Sequence, residues 1–228
     1  MTTVRNPFDD ADHIAFYAER AAQMVPAYRD LHRMATVLIG ERAPDDARIL
    51  VLGAGGGLET KSFAQARPGW HFDAVDPSQP MLDLAAHHLG ADGSRVRMHH
   101  GYIDDAPPGP FAAATSLLTL HFLPSDERRR TAAQVHRRLV PGAPFVVVHL
   151  SFPQDDEAER QRWLTRHLTN LVEAGIDPAD ADKARAAIEM NVPILSPEQD
   201  VAILRDAGFT DVTEFFSAFA FRGWVGYA

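Results

Sequence analysis

The feature that most constrains this chain is the run Arg48-Ile49-Leu50-Val51-Leu52-Gly53-Ala54-Gly55-Gly56-Gly57-Leu58-Glu59-Thr60. An apolar segment of strand length ends in a glycine cluster, and a helix-compatible segment follows. Gly53, Gly55 and Gly57 form G-x-G-x-G, so the backbone can turn sharply and approach a ligand with no Cβ in the way. A helix opening at about Gly57 would aim its free N–H groups at that ligand. A second apolar run, His71–Val75, ends at Asp76, 19 residues beyond Gly57. A carboxylate at the tip of the neighbouring strand can accept both hydroxyls of a nucleoside ribose.

The rest of the chain repeats the alternation. Ala47–Leu52, His71–Val75, Arg95–His100, Phe111–Leu117 and Pro144–Leu150 read as strands, separated by helices at Leu58–Ala66, after the Ser78 N-cap, and at Ser125–Leu139. Such an order implies a parallel sheet with helices on both faces, and ligands bind beyond the carboxyl ends of its strands. Gly53–Gly57, Asp76, Tyr102–Ile103, Leu117–His121 and His149 all fall at those ends. Residues 8–40 form a helical arm, with Phe16 among its apolar positions, interrupted by Pro26. Residues 153–192 break the rhythm as a helical lid, with an apolar stripe at Trp163, Leu164, His167, Leu168, Leu171 and Val172. The arginines of the helix beginning at Ser125 (Arg128, Arg129, Arg130, Arg137 and Arg138) read as a solvated face. Ser196–Ala207 is a capped helix closed by Gly208, and Thr210–Phe216 with Ala218–Tyr227 form a closing antiparallel pair.

Composition narrows the function classes. The 228 residues include no cysteine, which removes disulfides, thiolate metal sites and cysteine nucleophiles. A formal net charge of −9 argues against broad binding to nucleic acid. The 11 histidines are scattered without metal-ligand spacing, so no metal is expected. No apolar run reaches membrane-spanning length, and the first residues lack a signal-peptide pattern, so the expected setting is cytoplasmic.

These segments together resemble the class I S-adenosylmethionine (SAM) methyltransferases over essentially the whole chain. LVLGAGGG resembles the family's first motif, AVDPSQPML its acidic second motif and HHGYIDDAP its adenine-binding motif. The closing AGFTDVTEFFSAFAFRGWVGYA resembles its terminal hairpin. Within the superfamily the nearest likeness is to the carboxy-SAM synthase group and its small-molecule methyltransferase relatives, through MVPAYRDLHRM, LTLHFLPSDERR and IEMNVPILSPEQ.

The resemblance implies one α/β domain over residues 1–228: a Rossmann-like, seven-stranded, mostly parallel sheet with a terminal antiparallel hairpin, an N-terminal arm and a lid. It implies SAM as cofactor and S-adenosylhomocysteine as product. Gly53, Ala54 and Gly55 would adjoin the methionine and ribose, and Asp76 would bind the ribose. Pro77, Met81, Tyr102, Ile103 and Asp104 would surround the adenine, Leu117 would lie along the ligand, and Tyr28 would reach in from the arm. A small-molecule acceptor and a homodimer are the partners it suggests.

The sequence departs from the family at informative places. Val51 stands where an acid is usual, and Glu59 offers a carboxyl nearby. Tyr102 replaces the adenine-motif Asp, leaving adenine recognition to Asp104 or to backbone. The lid arginine of the synthases aligns with Ala186, one residue from Arg185, and one residue turns a helix by about 100°. The reading is therefore methyl transfer to an oxygen, nitrogen or carbon of a small molecule, by proximity alone or with His121 or His149 as base. The alternatives are a SAM-modifying enzyme of the carboxy-SAM synthase type and a SAM-binding protein without catalysis.

Overall fold

The computed structural model describes residues 17–228. Residues 8–16 of the expected arm, Phe16 among them, lie outside the described residues. Among the described residues the arm comprises two helices, α1 (Tyr17–Met24) and α2 (Tyr28–Gly40), separated at the interruption expected at Pro26. Pro26 cannot continue the first helix, and Ala27 takes a left-handed conformation (φ 58°) before the second.

Seven strands follow: β1 (Arg48–Leu52), β2 (His71–Asp76), β3 (Val96–His100), β4 (Ala113–Leu117), β5 (Pro144–Leu150), β6 (Thr210–Ala218) and β7 (Phe221–Tyr227). They form one sheet in the order β3-β2-β1-β4-β5-β7-β6. The first five are parallel, and β7 runs antiparallel to both β5 and β6. The expected fold class, a mostly parallel sheet closed by an antiparallel hairpin, is thus observed. The hairpin turns at Phe219-Ala220, two residues later than the sequence suggested, because Ala218 still pairs with Phe221. The central strands β4 and β5 are buried along their whole length, as strands covered on both faces must be. The edge strand β6 is mostly exposed and carries two register shifts, which disrupt a continuous edge for pairing with another chain.

Helices α3 (Leu58–Ala66), α4 (Gln79–Leu89), α5 (Ser125–His136), α6 (Glu157–Glu173), α7 (Pro178–Asn191) and α8 (Pro197–Asp206) complete the chain. Strand alternation divides the core. Ile49, Val51, Leu117, Val146 and Val148 join α2 and α3 in one cluster. Leu50, Leu52, Ala114, Phe145 and Val147 join α5 and α8 in the other. Ser78 caps α4 through Met81 N–H, and Ser196 with Gln199 forms a reciprocal capping box on α8. The lid helices α6 and α7 have a small core of their own, with Leu164, Leu168 and Leu171 packed against Ile176, Ala184 and Ile188.

Between β3 and β4 stands only a short 3₁₀ turn, Ile103–Asp105. A cleft of about 420 Å³ opens at the amino ends of β1–β3, lined by Arg48, His71, Asp73, Arg95 and Arg97 among others. Its charges are partly internal: buried Asp73 accepts from Arg48 Nε (2.6 Å) and lies 2.7 Å from His99 Nε2. The cleft faces away from the glycine loop and has no part in the site described below.

One expectation of the sequence fails on α5. Arg128 is not on a solvated face: it is 1% exposed. Its Nη1 donates to Asp200 Oδ1 of α8 at 2.5 Å, and its Nη2 donates to the carbonyls of Pro193 (3.0 Å) and Leu123 (3.4 Å). A buried guanidinium needs such partners, and Asp200 is itself 2% exposed. The pair pins the chain leaving the lid to the end of the sheet. Asp200→Ala should therefore cost about 3–5 kcal/mol in denaturant unfolding, whereas an Arg128→Met/Asp200→Leu double variant should recover most of that loss. Equal losses in both would contradict this account.

Candidate functional site at the carboxyl ends of the strands

The glycine loop is fastened to the neighbouring strand by backbone and side-chain bonds. Gly53 and Ala54 N–H both donate to the Val75 carbonyl, at 2.8 and 3.0 Å. Gly55 N–H donates to Asp76 Oδ2 at 2.8 Å, and Ser78 N–H donates to Asp76 Oδ1 at 2.9 Å. Asp76 therefore also organises the loop, a role its spacing alone did not reveal. Gly53 has φ 76°, and a Cβ built there would stand 2.1 Å from the Thr119 hydroxyl. Gly57 has φ 78°, and its Cβ would meet Ala85 of α4 at 2.8 Å. These two positions need glycine for both conformation and space.

At the end of β4, Leu118 is held at φ 61°, an uncommon conformation for a non-glycine residue that costs on the order of 1–3 kcal/mol. Its N–H donates to Val148 O, and the next hydroxyl, Thr119 Oγ1, donates to Leu117 O at 3.1 Å. The chain thus turns over the glycine loop directly after Leu117. Thr119 lies within the LTLHFLPSDERR run, but the sequence reading gave it no role of its own.

Around this junction, Ile103 (2% exposed) and Met81 (1%) are buried, and Leu117 belongs to the core cluster against which Tyr28 packs. Tyr28 meets His32 edge-on, with ring centroids 4.5 Å apart. Pro77 O lies 3.0 Å from His100 Nε2. Tyr102 is exposed, while its N–H donates to Asp105 Oδ2 at 2.9 Å. Asp104 turns outward and takes two hydrogen bonds from Arg130 Nη1, at 3.0 and 2.8 Å.

The two histidines singled out by sequence are both buried. His121 lies in a 3₁₀ turn after β4, and its Nδ1 accepts from Leu150 N–H at 3.4 Å. That bond assigns the ring proton to Nε2, which makes Nε2 a donor. Burial first, and then the neighbouring His149 and Arg128, holds its pKa well below the usual histidine value, so the ring is neutral near pH 7. His149 projects from β5 towards α8, with Nε2 3.2 Å from Asp200 Oδ1 and its ring 5.4 Å from Trp224. That separation is within ion-pair range, but Nε2 lacks hydrogen-bonding alignment with the carboxylate. Burial alone would push the Asp200 carboxyl up; His149 and Arg128 outweigh it and hold Asp200 below its ordinary value.

A second strongly perturbed group is Glu59, on the first turn of α3. It is 6% exposed and accepts a hydrogen bond from the Thr115 hydroxyl on β4. Thr115 pairs with Val51, so the Glu59 carboxyl comes beside the strand position that lacks an acid. Burial raises its pKa to about 8, against the lowering effect of the Thr115 bond. In the lid, Arg185 is held by α6: Nη1 donates to Gln161 Oε1 and Nη2 to Thr165 Oγ1, both at 3.2 Å.

This fold and this junction define a nucleoside-binding α/β domain, and comparison with known proteins specifies its kind. Residues 49–142 match the methyltransferase domain family. That match, the whole-length likeness to curated relatives and the shared fold support a SAM-dependent methyltransferase of the class I type, with SAM as its cofactor. A carboxy-S-adenosyl-L-methionine synthase of Campylobacter lari is 20% identical over 96% of this chain and 93% of its own. Among solved structures, an O-methyltransferase family protein from Burkholderia thailandensis superposes with a TM-score of 0.68 at 15% identity. That match covers 96% of this chain, which spans only 61% of the longer protein. The methyltransferase solved in complex with the Haloferax volcanii Trm112 activator gives 0.68 at 16% identity, covering 99% of each chain.

The residues present fit the cofactor's chemistry. A bare glycine backbone adjoins the Asp76 carboxylate of the next strand, Ile103 and Met81 are the buried apolar side chains that would flank the cofactor, and the buried Glu59 carboxyl follows the loop on α3. Among the described residues, no group of acids and histidines is arranged to hold a metal, and no helix is long and apolar enough to cross a membrane.

Glu59 has a consequence for stability. Its pKa is about 8 in the fold against 4.5 for the free side chain, so the folded state binds the extra proton between those values. Stability should fall as pH rises through that window, by roughly 3 kcal/mol at pH 7. Glu59→Gln should flatten this fall in denaturant titrations between pH 5 and 8; an unchanged slope would refute the assignment.

Proposed function

We propose that the chain transfers the methyl group of SAM to an oxygen, nitrogen or carbon nucleophile of a small molecule. The observation that carries this reading is the junction of Gly53–Gly55 with Asp76; we take α6, α7 and the arm as the elements that enclose an acceptor. We assign the ribose hydroxyls to Asp76, the methionine end to Gly53, Ala54 and Gly55, and the adenine to Pro77, Met81, Tyr102 and Ile103. Leu117 lies along the cofactor and Tyr28 closes it from the arm. Asp104, committed to Arg130, is dropped from the adenine contacts in favour of backbone groups.

Bound SAM supplies a methyl group already activated by its sulfonium. The protein's part is then to align the acceptor, exclude water and leave the acceptor's proton a way out. His121, with Nδ1 engaged and Nε2 a donor, suits a role in holding an acceptor better than one in deprotonating it. His149 is directed into the buried Arg128–Asp200 pair. Proximity without a protein base is accordingly the favoured mechanism.

Arg185 distinguishes this reading from carboxy-SAM synthesis. Its guanidinium is occupied along α6, and Ala186 holds the register where the resemblance places a carboxylate-binding arginine. Mass spectrometry of nucleosides that co-purify with the protein tests the choice: S-adenosylhomocysteine or SAM is expected, and carboxy-SAM would overturn it. Asp76→Ala should weaken SAM binding at least ~10-fold by calorimetry, since it removes both ribose bonds and the loop's anchor. Unchanged affinity would remove the site assignment.

A further inference from the structure

Four acids are buried among the described residues: Glu59, Asp73, Asp76 and Asp200. Asp73 is paired with Arg48 and His99, and Asp200 with Arg128. Asp76 accepts from the N–H groups of Gly55 and Ser78. Glu59 differs from all three. Oε1 accepts the Thr115 hydroxyl, and no cation or second hydrogen bond to Glu59 is found among the described residues.

The surroundings offer it no counter-charge. The titratable groups on the elements packed about α3 are Tyr28, Arg29, Asp30, His32 and Arg33 of α2, Asp83, His87 and His88 of α4, Asp92 and Arg95 of the 3₁₀ turn after α4, and His71, Asp73 and Asp76 of β2, with Lys61 on α3 itself; Arg33 pairs with Asp30, and Arg95 with Asp92 and the Ala64 carbonyl. His32 is buried and neutral, its pKa lowered to about 4 by burial, and its ring lies 6.5 Å from that of Phe63, one turn beyond Glu59. His88 Nδ1 lies 2.7 Å from the Gly56 carbonyl, on the loop itself. None of these groups forms an ion pair with Glu59. A carboxyl buried in this way keeps its proton until a cation reaches it.

The bound cofactor brings positive charge to this loop, on its sulfonium and on its amino group. We propose that Glu59 is the charge-sensing positioning residue of the site: it waits as a neutral carboxyl and ionises when the cofactor's cationic end arrives, releasing one proton to solvent. The carboxylate so formed is steadied by the Thr115 hydroxyl and by the free N–H groups at the start of α3. Its place beside Val51 explains how the chain dispenses with an acid on β1. The inference rests on SAM being the cofactor.

The test is calorimetry of SAM binding to the full chain at pH 7, repeated in two buffers of different ionisation enthalpy. Wild type should release about 0.9 proton per SAM more than Glu59→Gln, the excess vanishing above about pH 9. Thr115→Val withdraws a bond that favours the ionised form, so its release should move to higher pH and its SAM affinity at pH 7 should fall. Equal proton counts in wild type and Glu59→Gln, with both binding SAM, would overturn the proposal. Were Glu59→Gln unable to fold, an unshifted release in Thr115→Val would do so. Failure of wild type to bind SAM at all would instead refute the cofactor, a different and separable result.

Discussion

The bond from Gly55 N–H to the Asp76 carboxylate joins the two halves of the cofactor end of this protein. One partner exists because the glycine loop turns Gly55 N–H towards the neighbouring strand; the other because β2 ends in an acid. With the Gly53 and Ala54 bonds to Val75, it fixes the height of the loop over the sheet. From that height follow the close approach of Thr119 to Gly53 and of Ala85 to Gly57, and the left-handed turn at Leu118. A looser loop would require none of these.

The buried acids show how one interior serves different purposes. Asp73 and Asp200 are compensated by arginines and hold strands and helices together, at a desolvation cost that their partners offset. Asp76 is satisfied by backbone donors and shapes the loop. Glu59 is left uncompensated, an arrangement that a stability optimum alone would not select and that a ligand carrying positive charge can use.

Much of this was legible in the sequence. Hydrophobic runs and glycine punctuation located the central strands and the loop, because parallel strands buried on both faces must be continuously apolar. Ser78 and Ser196 announced the helices that they cap. Less legible was anything decided by a distant partner. Arg128 reads as one of several surface arginines until Asp200, 72 residues away, meets it. His149 has the placement of a strand-end base, yet its side chain falls on the α5–α8 face of β5. Asp104 lies in a motif and is turned aside by Arg130. Thr119 and Thr115 matter through contacts that no local pattern encodes.

The lid offers a last consequence. Leu164, Leu168 and Leu171 close on Ile176, Ala184 and Ile188, while Trp163 packs on the first core cluster and His167 meets Phe221 of β7 edge-on, so the helical pair has a core of its own and a limited seam with the sheet. Away from that seam such a unit can drift in sequence without unsettling the strands. On the proposed reading, the part of the molecule that would face the acceptor is in this way largely separate from the part that would hold the cofactor. New specificity becomes accessible by rewriting a pair of helices while the old scaffold is inherited intact.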